Sequence, residues 1–177
     1  MLSSGLVILG MTAGAEVAVA EERMTAAQSL AGRYSRHFQN GLVSGEKYWS
    51  DDVVEIVPIA ADAAYFRVSL QFYNGHTCDI SGVATADRDR LIYHEPSAPP
   101  GGATHCVLTL ARAGANFEIA DKQSCRAHCG ARGMLDWRLP FNSKRPITYM
   151  ARLQASREYQ EALEAWRTGQ AKGGMGQ

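Results

Sequence analysis

The stretch AYFRVSLQFYNGHTCDISGVA, residues 64–84, alternates apolar and polar side chains on both sides of an Asn74-Gly75 pair. Phe66, Val68, Leu70 and Phe72 share one face of an extended chain, and Cys78, Ile80, Gly82 and Ala84 share one face of the next. A period of two is the signature of a half-buried strand, and Asn-Gly between two such runs marks a hairpin. A two-residue turn would oppose Phe72 to Thr77 and place Asp79 on the apolar face, where an unpaired carboxylate is heavily penalised. A three-residue loop, Asn74-Gly75-His76, keeps Asp79 outside, and the predicted register therefore pairs Phe72 with Cys78 and Leu70 with Ile80.

The same alternation extends outward in both directions. Strands are expected over Ala31–Phe38, Val53–Ile59, Ala64–Tyr73, Thr77–Thr85, Leu91–His94, His105–Arg112 and Ala115–Ala120, separated by connections rich in Asn, Asp, Gly and Pro. The expected fold is mainly β, an antiparallel meander closing into a small barrel or sandwich. Past Leu139 the period lengthens. Pro146 suits a first helical position and Gly169 a position beyond the end, and Met150, Leu153, Tyr159, Leu163 and Trp166 recur at helical spacing between them. One amphipathic C-terminal α-helix is predicted over residues 146–168, packed on a β domain spanning 21–145, with a disordered tail over 169–177.

The chain has 177 residues, 18 basic and 18 acidic side chains, and 46% hydrophobic residues. That length builds a core of useful size, and a net charge of zero supplies no basic field to hold nucleic acid. The balance conceals a division. Residues 1–121 carry 8 basic and 14 acidic groups, whereas residues 122–177 carry 10 and 4.

Leu6–Ala15 is an uncharged, mostly apolar run, too short for a membrane span, and it is followed by the small-x-small triplet Ala18-Val19-Ala20 and then Glu21-Glu22-Arg23. Residues 1–20 read as a signal peptide. A secreted or periplasmic location follows, with no membrane association after cleavage. Cys78, Cys106, Cys125 and Cys129, an even number beyond the cleavage site, read as two disulfides in an oxidising compartment. Strand phase points Cys78 and Cys106 inward, which favours Cys78–Cys106 with Cys125–Cys129 as a tight local ring. The two other connectivities stay open.

No Gly-rich phosphate loop, nucleophile elbow or His-Glu-x-x-His pattern is present, so the chain is read as non-enzymatic and without a cofactor. Cys125, His128 and Cys129 together form a possible zinc-ligand set, although their spacing is unlike paired Cys-x2-Cys hooks and oxidation would consume the thiolates. No metal site is assigned to them.

The segment Ser124-Cys125-Arg126-Ala127-His128-Cys129-Gly130-Ala131-Arg132-Gly133-Met134-Leu135-Asp136 is the most distinctive in the chain. Its Cys-x3-Cys-Gly-Ala-Arg-Gly core resembles a cysteine module of secreted proteobacterial proteins, some of which are grouped with lysozyme-inhibitor-related proteins. It departs from that module in having Trp137 after Asp136 and no later cysteine. The resemblance implies a non-enzymatic binding role, in the sharpest form inhibition of a lysozyme or other cell-wall hydrolase. Physically, a stiffened loop with Gly130 and Gly133 free to adopt left-handed backbone, flanked by six basic residues between Lys122 and Arg145, suits a protein or other acidic partner. Arg126, His128, Gly130, Arg132 and Asp136 are the expected partner-binding residues. Alternatively, Arg132 pairs with Asp136 and merely locks the loop. Gly32-Arg33-Tyr34 resembles the Gly-x-Trp start of lipocalins, which implies the alternative function of carrying a small apolar ligand inside the barrel. A structural or assembly role is the remaining reading.

Overall fold

The computed structural model describes residues 24–96 and 105–174. The signal-peptide reading of residues 1–20 lies outside them. Eight strands run in sequence order around a single antiparallel sheet: β1 (Gly32–Gly41), β2 (Lys47–Pro58), β3 (Ala63–Gln71), β4 (Thr77–Asp87), β5 (Arg90–His94), β6 (Val107–Ala113), β7 (Asn116–Ala120) and β8 (Trp137–Pro140). Each strand pairs with the next, and the sheet curls until β1 and β8 face one another in a nearly closed barrel. The seam is finished by the chain after β8. There Arg33 and Arg145 each donate a backbone N–H to the other's carbonyl at 2.8 Å.

Inward-facing side chains fill the interior. Tyr34, Phe66, Leu70, Leu91, Leu108, Leu110, Phe117 and Ile119 are all fully buried, with Tyr34 and Phe117 ring centroids 4.4 Å apart. A short helix, α1 (Ala26–Ser29), closes the end where β1 starts. Its Thr25–Gln28 capping box satisfies the first amides, and Ala26, Ala27 and Leu30 join the core. Tyr34 Oη donates to the Leu30 carbonyl at 2.9 Å, tying this plug to β1.

The hairpin at residues 64–84 forms with the expected phase and a different register. Leu70 opposes Cys78 and Val68 opposes Ile80, two residues away from the predicted pairs. An even shift keeps every side chain on its own face, so Asp79 still points outward, where it accepts from Ser69 Oγ at 2.7 Å. The loop is longer because Phe72 and Tyr73 are drawn out of the ladder. Asn40 Nδ2 donates to the Phe72 carbonyl at 3.0 Å, and Tyr73 Oη donates to the Leu42 carbonyl at 2.9 Å.

The C-terminal region forms two helices where one was expected, α2 (Met150–Gln154) and α3 (Arg157–Gly174). Pro146 precedes both. The break falls at Ala155-Ser156, where Ser156 Oγ accepts the Tyr159 amide at 3.3 Å and starts a new helix. Gly169 does not end α3, so the predicted tail is helical as far as Gly174. These helices cover the outer face of β2–β4, where Ile147, Leu153, Tyr159 and Leu163 pack on Val57, Ala63, Tyr65 and Val83. No helix among the described residues is long and apolar enough to cross a membrane.

Candidate functional site

Among the described residues, β4 and β5 pair along only part of their length, an incomplete joint in the barrel wall. β4 pairs with β5 only from Thr85–Ile92 to Asp87–Arg90, which leaves Thr77–Ala84 without a β5 neighbour. The segment from Asp121 to Asp136 lies across this opening at the end of the barrel opposite α1, and it is fastened on both sides. On the β4 side, Cys129 is bonded to Cys78 and the Gly130 amide donates to the Thr77 carbonyl at 2.8 Å. On the β5–β6 side, Cys125 is bonded to Cys106, and His128 Nε2 lies 3.0 Å from Glu95 Oε1. Leu135 drops into the core beneath.

The disulfides are therefore Cys78–Cys129 and Cys106–Cys125, correcting the expected Cys78–Cys106 and Cys125–Cys129 pairing. A 3-10 turn over Arg126–His128 separates Cys125 from Cys129. Cys125 is held toward the start of β6, while Cys129 is extended and bridges β4. With both thiols bonded to different strands, Cys125, His128 and Cys129 do not make a zinc site. No cluster of potential metal ligands occurs among the described residues.

The approach to this cap segment is fixed by two carboxylates. Buried Asp121 accepts the Gln123 amide through Oδ1 at 3.1 Å and the Cys125 amide through Oδ2 at 3.0 Å. Asp136 Oδ1 accepts the Asp121 and Lys122 amides at 3.0 and 3.4 Å. Between them Lys122 and Gln123 hold left-handed φ values of 48° and 64°, a conformation that these bonds stabilise. Asp136 is thus a structural acceptor within the cap and not the partner of Arg132. Neither Gly130 nor Gly133 has a positive φ. Their role is close packing: a Cβ on Gly130 would stand 3.0 Å from His76 Nδ1, and one on Gly133 only 2.5 Å from Cys78 Sγ.

Of the five residues expected to bind a partner, His128, Gly130 and Asp136 are engaged in holding the cap. Arg126 and Arg132 are exposed and stand outside the ion pairs formed among the described residues. Exposed Met134 accompanies them.

Two charged networks were not anticipated. Inside the barrel near the cap, fully buried Asp52 accepts from Arg36 Nη2 at 2.7 Å, Trp137 Nε1 at 3.1 Å and the Gln71 amide at 2.9 Å. The Arg36 guanidinium also stacks on Phe38 and Trp137, at 4.7 and 5.0 Å from the ring centroids. On the outer wall under α2, fully buried Glu55 is held by Arg67 Nη2 at 2.6 Å, by Arg33 Nη1 at 3.5 Å and by the Tyr149 hydroxyl. Burial and the adjacent Glu55 carboxylate both raise the Tyr149 pKa. The phase is legible in the sequence, since Asp52 alternates with Val54 and Ile56 and Arg36 with Tyr34; the structure adds that Arg36 lies directly opposite Asp52 across the β1–β2 pair.

One further concavity lies beside the incomplete joint. It is a groove of about 340 Å³ between α3 and β4–β5, walled by Val83, Tyr93, Ala162, Ala165 and Trp166. Comparison of the chain with protein-family models, curated proteins and solved structures finds no match.

Proposed function

We propose that the protein is a secreted or periplasmic, non-enzymatic binding protein, and that its cap segment docks a partner bearing clustered carboxylates, such as the active-site cleft of a lysozyme-type cell-wall hydrolase. The observation that carries this reading is the presentation of Arg126 and Arg132. Both guanidinium groups stand exposed on a segment fastened to two separate parts of the barrel. A cation held on a stiff support loses little freedom on docking, and arginine matches a carboxylate with two parallel hydrogen bonds. The acidic 1–121 portion supplies attraction at longer range to a basic enzyme. The two disulfides support export to an oxidising compartment.

The test is the rate at which purified lysozyme clears a bacterial cell suspension. The intact protein is expected to slow lysis, and Arg126→Ala with Arg132→Ala to weaken the effect by about tenfold or more, the change expected on losing a hot-spot contact. Unimpeded lysis, together with no measurable binding, removes the lysozyme reading.

A second reading draws on the groove under α3. The barrel interior is filled, so a small apolar ligand would be carried outside it, between Tyr93 and Trp166. Mass spectrometry of protein purified under native conditions distinguishes the two readings, since a carrier retains its ligand and a Trp166→Ala variant releases it.

A further inference from the structure

We infer that the cap segment is one part of a larger docking face, and that its partner is a folded protein with an acidic cleft rather than a free anion or a membrane. The inference rests on the binding reading above and extends it to two further loops. At the cap end of the barrel the β1–β2 turn presents Val43 and the β3–β4 loop presents Tyr73, exposed to 70% and 46%. Met134 on the cap is exposed to 53%.

These apolar groups sit on connected loops. Tyr73 Oη donates to the Leu42 carbonyl at 2.9 Å, and the Val43 amide donates to Asn74 Oδ1 at 3.3 Å, which laces the first two loops together. The second loop meets the cap at its other side. His76 is so close to Gly130 that an added Cβ would be 3.0 Å from its ring, and the Gly130 amide bonds the Thr77 carbonyl. Val43 and Tyr73 thus stand on loops linked to each other and, through His76 and Thr77, to the cap that carries Arg126, Arg132 and Met134.

Its composition decides the occupant. Tyrosine, methionine and arginine are the residue types enriched at protein interfaces, and apolar groups clustered beside cations bury their area only against a partner with matching relief. A free anion would use the arginines and leave Val43 and Tyr73 idle. A lipid surface would be bound by any basic and apolar patch without regard to the position of single side chains.

The experiment is titration of the disulfide-intact protein with purified lysozyme by calorimetry, for the wild type, Val43→Asp, Tyr73→Ala and the double variant Arg126→Ala/Arg132→Ala. Intact mass with and without reductant confirms both disulfides in each, and far-ultraviolet circular dichroism confirms the fold. Val43→Asp and Tyr73→Ala are each expected to weaken binding by about tenfold, with polyglutamate unable to compete. If only the arginine variant loses affinity, the docking face is confined to the cap, and this inference fails while the proposed function stands. If wild-type protein does not bind lysozyme, both fail. Capture by phosphatidylglycerol–phosphatidylcholine vesicles, abolished by Tyr73→Ala, would make the occupant a membrane and overturn the inference.

Discussion

Gly133 lies against the sulfur of Cys78, so closely that a methyl group added to it would stand 2.5 Å from Cys78 Sγ and 3.1 Å from Cys129 Cβ. Neither neighbour can yield, because both belong to the bridge that fastens the cap to β4. Gly133→Ala is therefore expected to destabilise the protein by about 1–3 kcal/mol, as overpacking does. For a chain of this size that lowers the thermal midpoint by about 2–12 °C. Calorimetric unfolding measures the change. A midpoint equal to that of the wild type would mean that the cap shifts freely.

The two bridges differ in how much chain they enclose. Cys78–Cys129 spans 51 residues and Cys106–Cys125 spans 19. Loop-closure entropy assigns about 4 and 3 kcal/mol to them respectively. Replacing Cys78 and Cys129 together by serine is expected to lower stability more than replacing Cys106 and Cys125, as read from denaturant midpoints of the two double variants. Equal losses, or the reverse order, would show that strain or residual structure outweighs chain entropy.

Asp136 receives two amides at the entrance to the cap, where Lys122 and Gln123 hold left-handed backbone. Asp136→Ala leaves both donors to water and is expected to cost about 1–2 kcal/mol. Amide hydrogen exchange at 121–125 should rise more than elsewhere. Uniform exchange across the barrel would contradict a local role.

Buried Glu55 depends on Arg67, which reaches it through Nε at 2.8 Å as well as Nη2 at 2.6 Å. Removing one partner of a buried carboxylate is costly. Arg67→Met is expected to destabilise by about 3 kcal/mol, even though the lost side chain is itself partly exposed. Arg67→Lys, which keeps the charge without the two-pronged contact, should recover only part of the loss. A neutral Arg67→Met would show that Arg33 and Tyr149 suffice.

Burial pushes the Tyr65 and Tyr93 hydroxyls up to about 12. Because their protonated forms are favoured in the folded state relative to the ordinary value near 10, the associated stability is fully present below about pH 10 and is lost as pH rises toward 12. Tyrosinate absorbance should lag behind that of free tyrosine up to the point of alkaline unfolding, and the thermal midpoint should fall steeply across that interval. A midpoint independent of pH from 10 to 12 would contradict the burial of these hydroxyls.

The sequence carried the phase of the barrel better than its register. Alternation placed Phe66, Val68 and Leu70 with Cys78 and Ile80 on one face, because that choice is decided by burial of each strand's own side chains. The register was shifted by contacts from Asn40 on β1 and Leu42 in the β1–β2 turn, which nothing between Phe72 and His76 announces. β8 was missed because Trp137–Pro140 is short and contains a proline, and its place in the sheet comes from pairing with β7. The polar start of β2 was missed for a related reason. Ser50 and Asp52 are buried there because Asn40 and Arg36 on the neighbouring β1, and Trp137 on β8, provide partners. Within the cap, the conspicuous cysteines and arginines were legible as a unit. The disulfide pairing was not, since proximity of Cys125 to Cys129 in the chain says nothing about the direction in which a 3-10 turn points each sulfur. Glu95, which meets His128 from the far side of the incomplete joint, gave no local signal at all.

The joint between β4 and β5 has a consequence for the chain before its sulfurs are paired. Among the described residues, Thr77–Ala84 has no strand partner on the β5 side, and the cap covers its first residues. With the bridges unmade, Thr77 and Cys78 lose the fixed cover of the cap, and an uncovered strand edge is a template on which another chain can add a strand. The reduced chain is therefore expected to self-associate more readily than the oxidised one, as read by light scattering with and without reductant. Oxidation fixes the cap over that edge.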